Sequence, residues 1–326
     1  MTGYNKLQTE IATGRLTLPV VILICLFLWG VSIHSWNELI SFISCALTGY
    51  MMIEINTAFT LIRTRTMLHV SLFGFIISAC MFLHPFHISN LVPPAFIIAL
   101  FQLFRSYESG QASGNIFHSF FFIGLGSLAF PQLLYFAPLF YISMISFRSL
   151  SAKTFFAGLV GLIVPYWFLF GYAFYNGKIE LFYSPLQSLI QFQPIHYTGF
   201  TPDQIISWGG ITLISLTCSV HYFIVSYLDK TRTRLFLSFL IAVEAWIYAL
   251  GLLQPQHFNV LLQLQIIMMS ILTGHLFTLT RNRFSGIFFI ITFVTLITLA
   301  IYNLWMQFFN SCLLYTSPSP RDGATS

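Results

Sequence analysis

The sequence predicts an all-α protein, a polytopic transmembrane helix bundle of about 11 spans (10 to 12) with its N-terminus in the cytoplasm. Three observations carry that reading. Charged residues are 7% and apolar residues 57% of the 326, and the mean hydropathy is +0.81, a balance that no soluble domain of this size keeps in solution. Apolar runs of membrane length recur along the chain between short polar connectors. When those connectors are assigned to alternate sides, the lysines and arginines fall almost wholly on one side.

Taken in order, the first apolar run, residues 16–34, is too long for a signal-peptide core and is followed by no small-residue cleavage site. A tight connector holding Trp36, Asn37 and Glu38 leads to a second span at 39–62, ended by Arg63 and Arg65. The third, 67–83, meets a polar break, L-H-P-F-H-I-S-N-L-V-P-P at 83–94. Such a break must lie at the lipid boundary or line a cavity, because unpaired backbone cannot face hydrocarbon. A short span follows at 91–104, then a Gly/Ser-rich loop at 105–115. Runs at 116–130 and 133–147 hinge on Pro131 and Gln132, and Gly124 and Gly126 suit close helix packing. The remaining spans are 154–175, 205–228, 235–253, 258–280 and 286–309. Residues 176–204 form the one long loop, expected as a cap over the bundle.

With this count, twelve of the fourteen Lys and Arg lie inside, leaving Lys178 outside and Arg321 in the tail. Residues 1–310 therefore read as a single integral membrane domain. Residues 311–326 contain C-L-L-Y-T-S-P-S-P-R-D, which resembles a translated sequencing-adapter read-through, and are expected to be a disordered tail. The basic residues are scattered singly and in pairs and form no patch for nucleic acid. The five cysteines show no C-x-x-C spacing, which argues against thiolate zinc sites and a disulfide framework. No spacing specifies a metal or another cofactor.

The same topology sorts the polar residues. The outward connectors hold Glu38, His84, His87, Asn90, His196, Asp203 and His257, potential bases and ligands with few cations among them. Glu38, Asp203 and His87 are the expected catalytic groups; His84, Asn90, His196, His257 and Glu244 are the expected substrate contacts. Glu244 lies near the middle of the ninth span, where a carboxylate costs about 2.5–3.5 kcal/mol on insertion scales and must face the bundle. It is either a structural tie between helices or a proton or substrate site. Glu54, toward the inner half of the second span, reads as structural.

Four segments, I-N-T-A-F-T-L-I-R-T-R-T at 55–66, L-H-P-F-H-I-S-N at 83–90, A-L-F-Q-L-F-R-S-Y at 99–107 and N-I-F-H-S-F-F-F-I-G-L-G-S-L-A-F-P at 115–131, resemble a family of Bacteroidota inner-membrane proteins classed as a domain of unknown function. That resemblance implies a multi-pass inner-membrane location and assigns no catalytic residues. More distantly, the chain is similar to GT-C membrane glycosyltransferases, which act on polyprenyl-phosphate sugars and keep an acidic catalytic residue in the first outer loop. Glu38 stands in the corresponding place, although the loop here is only a few residues long. The expected function is an envelope role carried by an outward-facing site. The versions are a GT-C-like transferase on a polyprenyl-linked substrate, a transporter using Glu244 and Glu54, a non-catalytic scaffold, and an iron site built from His84, His87, His196 and His257.

Overall fold

The computed structural model describes residues 3–33, 35–190 and 199–316, and every regular element among them is helical. The helices are α1 (Gly3–Thr13), α2 (Thr17–Ser32), α3 (Trp36–Phe59), α4 (Leu68–Ala79), α5 (Val92–Arg105), α6 (Ser113–Ala129), α7 (Ala137–Ser146), α8 (Ala152–Tyr175), α9 (Glu180–Ile190), α10 (Pro202–Val225), α11 (Thr231–Leu253), α12 (Phe258–Leu279) and α13 (Arg283–Thr316). Short 3-10 turns lie at Met81–Leu83, Ile88–Leu91, Pro131–Phe136, Ser226–Leu228 and Pro255–His257. The chain is a multi-pass helical membrane protein.

The number of complete spans is lower than the eleven expected. Among the described residues, seven helices are long and apolar enough to cross a bilayer, and the α1–α2 pair, bent by 73°, makes an eighth if it is one span. The runs expected at 67–83, 116–130 and 133–147 instead give helices of 12, 17 and 10 residues. Their breaks have local causes. After α4 the chain tightens into the turn Met81–Leu83. After α6, Pro131 supplies no N–H to continue the ladder and opens the turn Pro131–Phe136. The opposite adjustment rescues the short run at 91–104, because the turn Ile88–Leu91 extends it to an 18-residue span, Ile88–Arg105.

Helix α12 is the axis of the bundle and is buried along its whole length. Helices α4, α5, α10, α11 and α13 pack around it, with α1 across one end. That end gathers the basic connectors. Thr66 Oγ1 donates to the Ala12 carbonyl, Ser151 Oγ donates to the Gly110 carbonyl, and the Arg232 guanidinium lies 5.4–5.7 Å from the Phe59, Tyr107 and Phe236 ring centres. Around it Phe104 and Phe236 stack at 4.2 Å with Phe147 edge-on, so the cation sits over ring faces where it gains quadrupole attraction.

Glycines set two close helix contacts. A Cβ at Gly161 of α8 would lie 2.5 Å from the Phe117 carbonyl of α6, and one at Gly124 of α6 would lie 2.9 Å from the Leu162 carbonyl of α8. On the axis, a Cβ at Gly274 would lie 2.9 Å from His69 Cβ and 3.1 Å from its Cα, so α4 reaches α12 only because that position has no side chain. The expected cap, residues 176–204, contains helix α9, none of whose residues is buried. It rests on the hinge and on α8 through the Tyr135 hydroxyl, which donates to the Leu189 carbonyl at 2.6 Å, and the edge-on pair Phe170–Phe182.

Gly274→Val should therefore push α4 off the axis at a cost of about 1–3 kcal/mol for overpacking. Thermal unfolding in detergent should show the lowered midpoint, while Gly171→Ala, where nothing lies within 4 Å, should leave it in place.

Candidate functional site

At the end opposite the basic connectors, the break after α4 is held by side chains rather than by regular helix. Asn90 donates from Nδ2 to Ser41 Oγ at 2.8 Å and to the Pro85 carbonyl at 3.1 Å. Its own carbonyl accepts from Ser44 Oγ at 2.6 Å, and its Oδ1 accepts from Gln263 of α12 at 3.5 Å. Asn90 is thus a lock that pins the 3-10 turn to α3 and α12. Beside it, Trp29, Ser41, Ser44, Thr48, Asn90 and Gln263 enclose a cavity of about 20 Å³, room for about one water molecule.

His84 is buried and stacks on the Trp29 indole at 3.8 Å, with the planes 16° apart. Neither ring nitrogen makes an aligned hydrogen bond. Burial pushes the imidazole down to about 4, with the nearby Ile77 and Ser78 carbonyls and the Glu38 carboxylate opposing. Glu38 caps α3, accepting from the Ser35 backbone N–H at 2.8 Å. His87 is exposed. Asp203 lies in the first turn of α10, close enough to Cys80 to act on it electrostatically, and its Oδ1 is buried without a partner. His257 packs edge-on against Phe130 at 5.1 Å. His34 and His196 lie outside the described residues. Glu38 thus acts on His84 and Asp203 on Cys80 through their charges. Among the described residues no three His, Cys, Asp or Glu side chains converge as a metal site.

Glu244 is 1% exposed, and its carboxylate is fully engaged. One oxygen accepts from Ser215 Oγ and from Tyr248 OH, the latter at 2.9 Å; the other accepts from Ser219 Oγ at 2.9 Å. Gln265 of α12 extends the cluster, donating to Thr212 Oγ1 at 3.0 Å and accepting from Trp208 Nε1 at 3.1 Å. The carboxylate ties α10, α11 and α12 together, the structural arm of the expectation. Glu54 meets the Tyr50 hydroxyl one turn away on α3.

A different site appears at the basic end. The last turns of α10 and α12, together with residues 227–229 and 280–282, enclose a cavity of about 200 Å³. Arg63, Arg281, His221, His275, Asp229 and Tyr222 line it. Asp229 Oδ2 lies 2.9 Å from His275 Nε2, out of line for a hydrogen bond. The Tyr222 hydroxyl is buried without a partner. His221 also lines an apolar groove of about 480 Å³ with Leu216, Val220, Ile224 and Phe284, and stacks over the Phe284 ring at 6.0 Å. A polar chamber with two guanidinium groups and an apolar groove thus share one imidazole. The sequence reading assigned the arginines to topology. Asp229 and His275 are 46 positions apart, and no spacing rule connects them.

No family model matches this chain, and neither the curated proteins nor the solved structures contain a match.

Substitutions at two positions probe these environments. His84 binds a proton more readily in the unfolded chain, where its pKa is near 6.5, than in the fold, where it is about 4. Its contribution to stability is complete above the unfolded value and is lost as pH falls through that window. The melting midpoint should fall between pH 7 and pH 5, and His84→Phe, which keeps the stack on Trp29, should flatten that dependence. Glu244→Gln should retain most of the cluster, whereas Glu244→Leu strands Ser215, Ser219 and Tyr248 and should cost about 1–3 kcal/mol of stability per unsatisfied group.

Proposed function

We propose that this protein is an inner-membrane component of the cell envelope that binds a lipid-like amphiphile with an anionic head at the basic, cytoplasmic end of the bundle. The observation that carries the reading is the shared His221, which joins a chamber holding Arg63 and Arg281 to an apolar groove of about 480 Å³. A phosphate head would find two guanidinium groups, whose fork geometry matches its oxygens, and the unpartnered Tyr222 hydroxyl as a further donor. Asp229, held by His275, would orient the cationic side chains instead of repelling the head outright. The hydrocarbon tail would follow Leu216, Val220 and Ile224 along the face of α10 into the bilayer. A polyprenyl-linked lipid, the substrate class implied by the GT-C likeness, has this division of chemistry. The cytoplasmic side follows from the concentration of Lys and Arg at that end.

A second reading keeps a transferase site at the opposite end, and one observation favours it. Glu38 acts on His84 and Asp203 on Cys80 through their charges, and Asp203 Oδ1 is buried without a partner.

Binding of geranylgeranyl phosphate to the purified full-length protein, followed by native mass spectrometry, separates the two. Arg63→Gln and Arg281→Gln should each weaken binding about tenfold, or about 1.4 kcal/mol, and Tyr222→Phe should weaken it less. Glu38→Ala and Asp203→Ala should leave it unchanged. Retention of full affinity in the Arg63/Arg281 double variant, or loss in the Glu38 and Asp203 variants instead, overturns the basic-end site.

A further inference from the structure

A second lipid site, independent of the one above, lies at the elbow between α1 and α2. Helix α1 is clasped to the bundle. Gln8 Nε2 donates to the Phe277 carbonyl at 2.7 Å, the Thr280 carbonyl at 2.9 Å and Ser285 Oγ at 2.9 Å, and Ala12 accepts from Thr66. Helix α2 leaves at 73° to α1. The turn between them passes through Gly14, where a Cβ would lie 2.3 Å from the Glu10 carbonyl. With α1 fixed and α2 diverging, a wedge opens between α2, α4 and α13.

The wedge is a groove of about 530 Å³, within the range of about 300–1,000 Å³ usual for small-molecule sites. Val21, Ile24, Leu72, Phe75, Phe293 and Leu296 give it an apolar wall. Two features make it more than a lipid-facing crease. Thr292, 2% exposed, lines the groove with a buried hydroxyl that has no hydrogen-bond partner. Glu10 and Arg15, both exposed, line the same groove where it meets α1, and no ion pair joins them among the described residues. One carboxylate and one guanidinium beside an acyl-sized apolar wedge form the counterpart of a zwitterionic headgroup.

We propose that the elbow groove holds one molecule of phosphatidylethanolamine, its phosphate on Arg15, its ammonium on Glu10, one acyl chain in the wedge and an ester oxygen on Thr292. A phosphate with bidentate guanidinium recognition accounts for Arg15, and only a head that also carries an amine accounts for Glu10. Phosphatidylglycerol has the phosphate but no amine.

The test is native mass spectrometry of the full-length protein exchanged into detergent with phosphatidylethanolamine or phosphatidylglycerol at equal concentration. The wild-type protein should retain one phosphatidylethanolamine several-fold more often than one phosphatidylglycerol. Glu10→Gln should abolish that preference, Arg15→Gln should lower retention of both lipids, and Leu72→Trp should displace the bound molecule. Equal retention of the two lipids by the wild-type protein, or a preference that survives Glu10→Gln, overturns the proposal. The Glu10 arm decides even if Leu72→Trp fails to fold, because Glu10 is an exposed residue.

Discussion

A helix buried on every side must find a partner for each of its polar groups among its neighbours, and α12 carries many of them. Gln263 reaches Asn90, Gln265 reaches Trp208, Thr212 and Tyr248, Thr273 meets Cys218 Sγ at 3.3 Å, and His275 meets Asp229. In hydrocarbon each unmet group would cost several kcal/mol. These contacts therefore specify rotation and height for the helices around the axis as well as attraction to it. Apolar packing alone would tolerate a helix turned or slid by one residue. A ladder of amides and hydroxyls meeting distinct partners on the Ile88–Leu91 turn, α10 and α11 does not.

The irregular segments follow from the same constraint. Residues 80–91 leave helical geometry near one end of the bundle, and Asn90, Ser41 and Ser44 take over hydrogen bonds that the ladder no longer makes. At Pro131–Phe136 the chain keeps 3-10 bonding, with Leu133 N–H donating to the Phe130 carbonyl at 3.0 Å. Both breaks thus keep part of their backbone hydrogen bonding within the protein, as membrane depth favours. Their consequence is that α4 and α7 are too short to cross alone, which is why counting apolar runs overstates the number of complete spans.

Much of this was legible in the residues. Composition and run length identify a helical membrane bundle, and the alternation of Lys and Arg anticipates one basic end. Glu244 has to face inward on solvation grounds alone, and it does. Gly124 predicts close packing that the contact with Leu162 bears out. What stayed hidden depends on contacts between distant positions. An apolar run at 133–147 looks the same whether it is one long helix or a 3-10 turn and a short one. Asp229 reads as one member of a charged turn until the fold brings His275 to it. Arg63 and Arg281 read as topology determinants because their number and side are visible in sequence, whereas their convergence on one chamber is not.

The clasp at Gln8 has a consequence for assembly. Its acceptors lie 269, 272 and 277 positions further along the chain, on the last turn of α12 and the start of α13. During synthesis α1 emerges long before the groups that hold it. Until then the Gln8 amide has only water or headgroups to bond, and the final carbonyls of α12 lack a donor when they arrive. Closure of the ring from first helix to last is thus a late, long-range event, of the kind that pays a large loop entropy before any contact repays it.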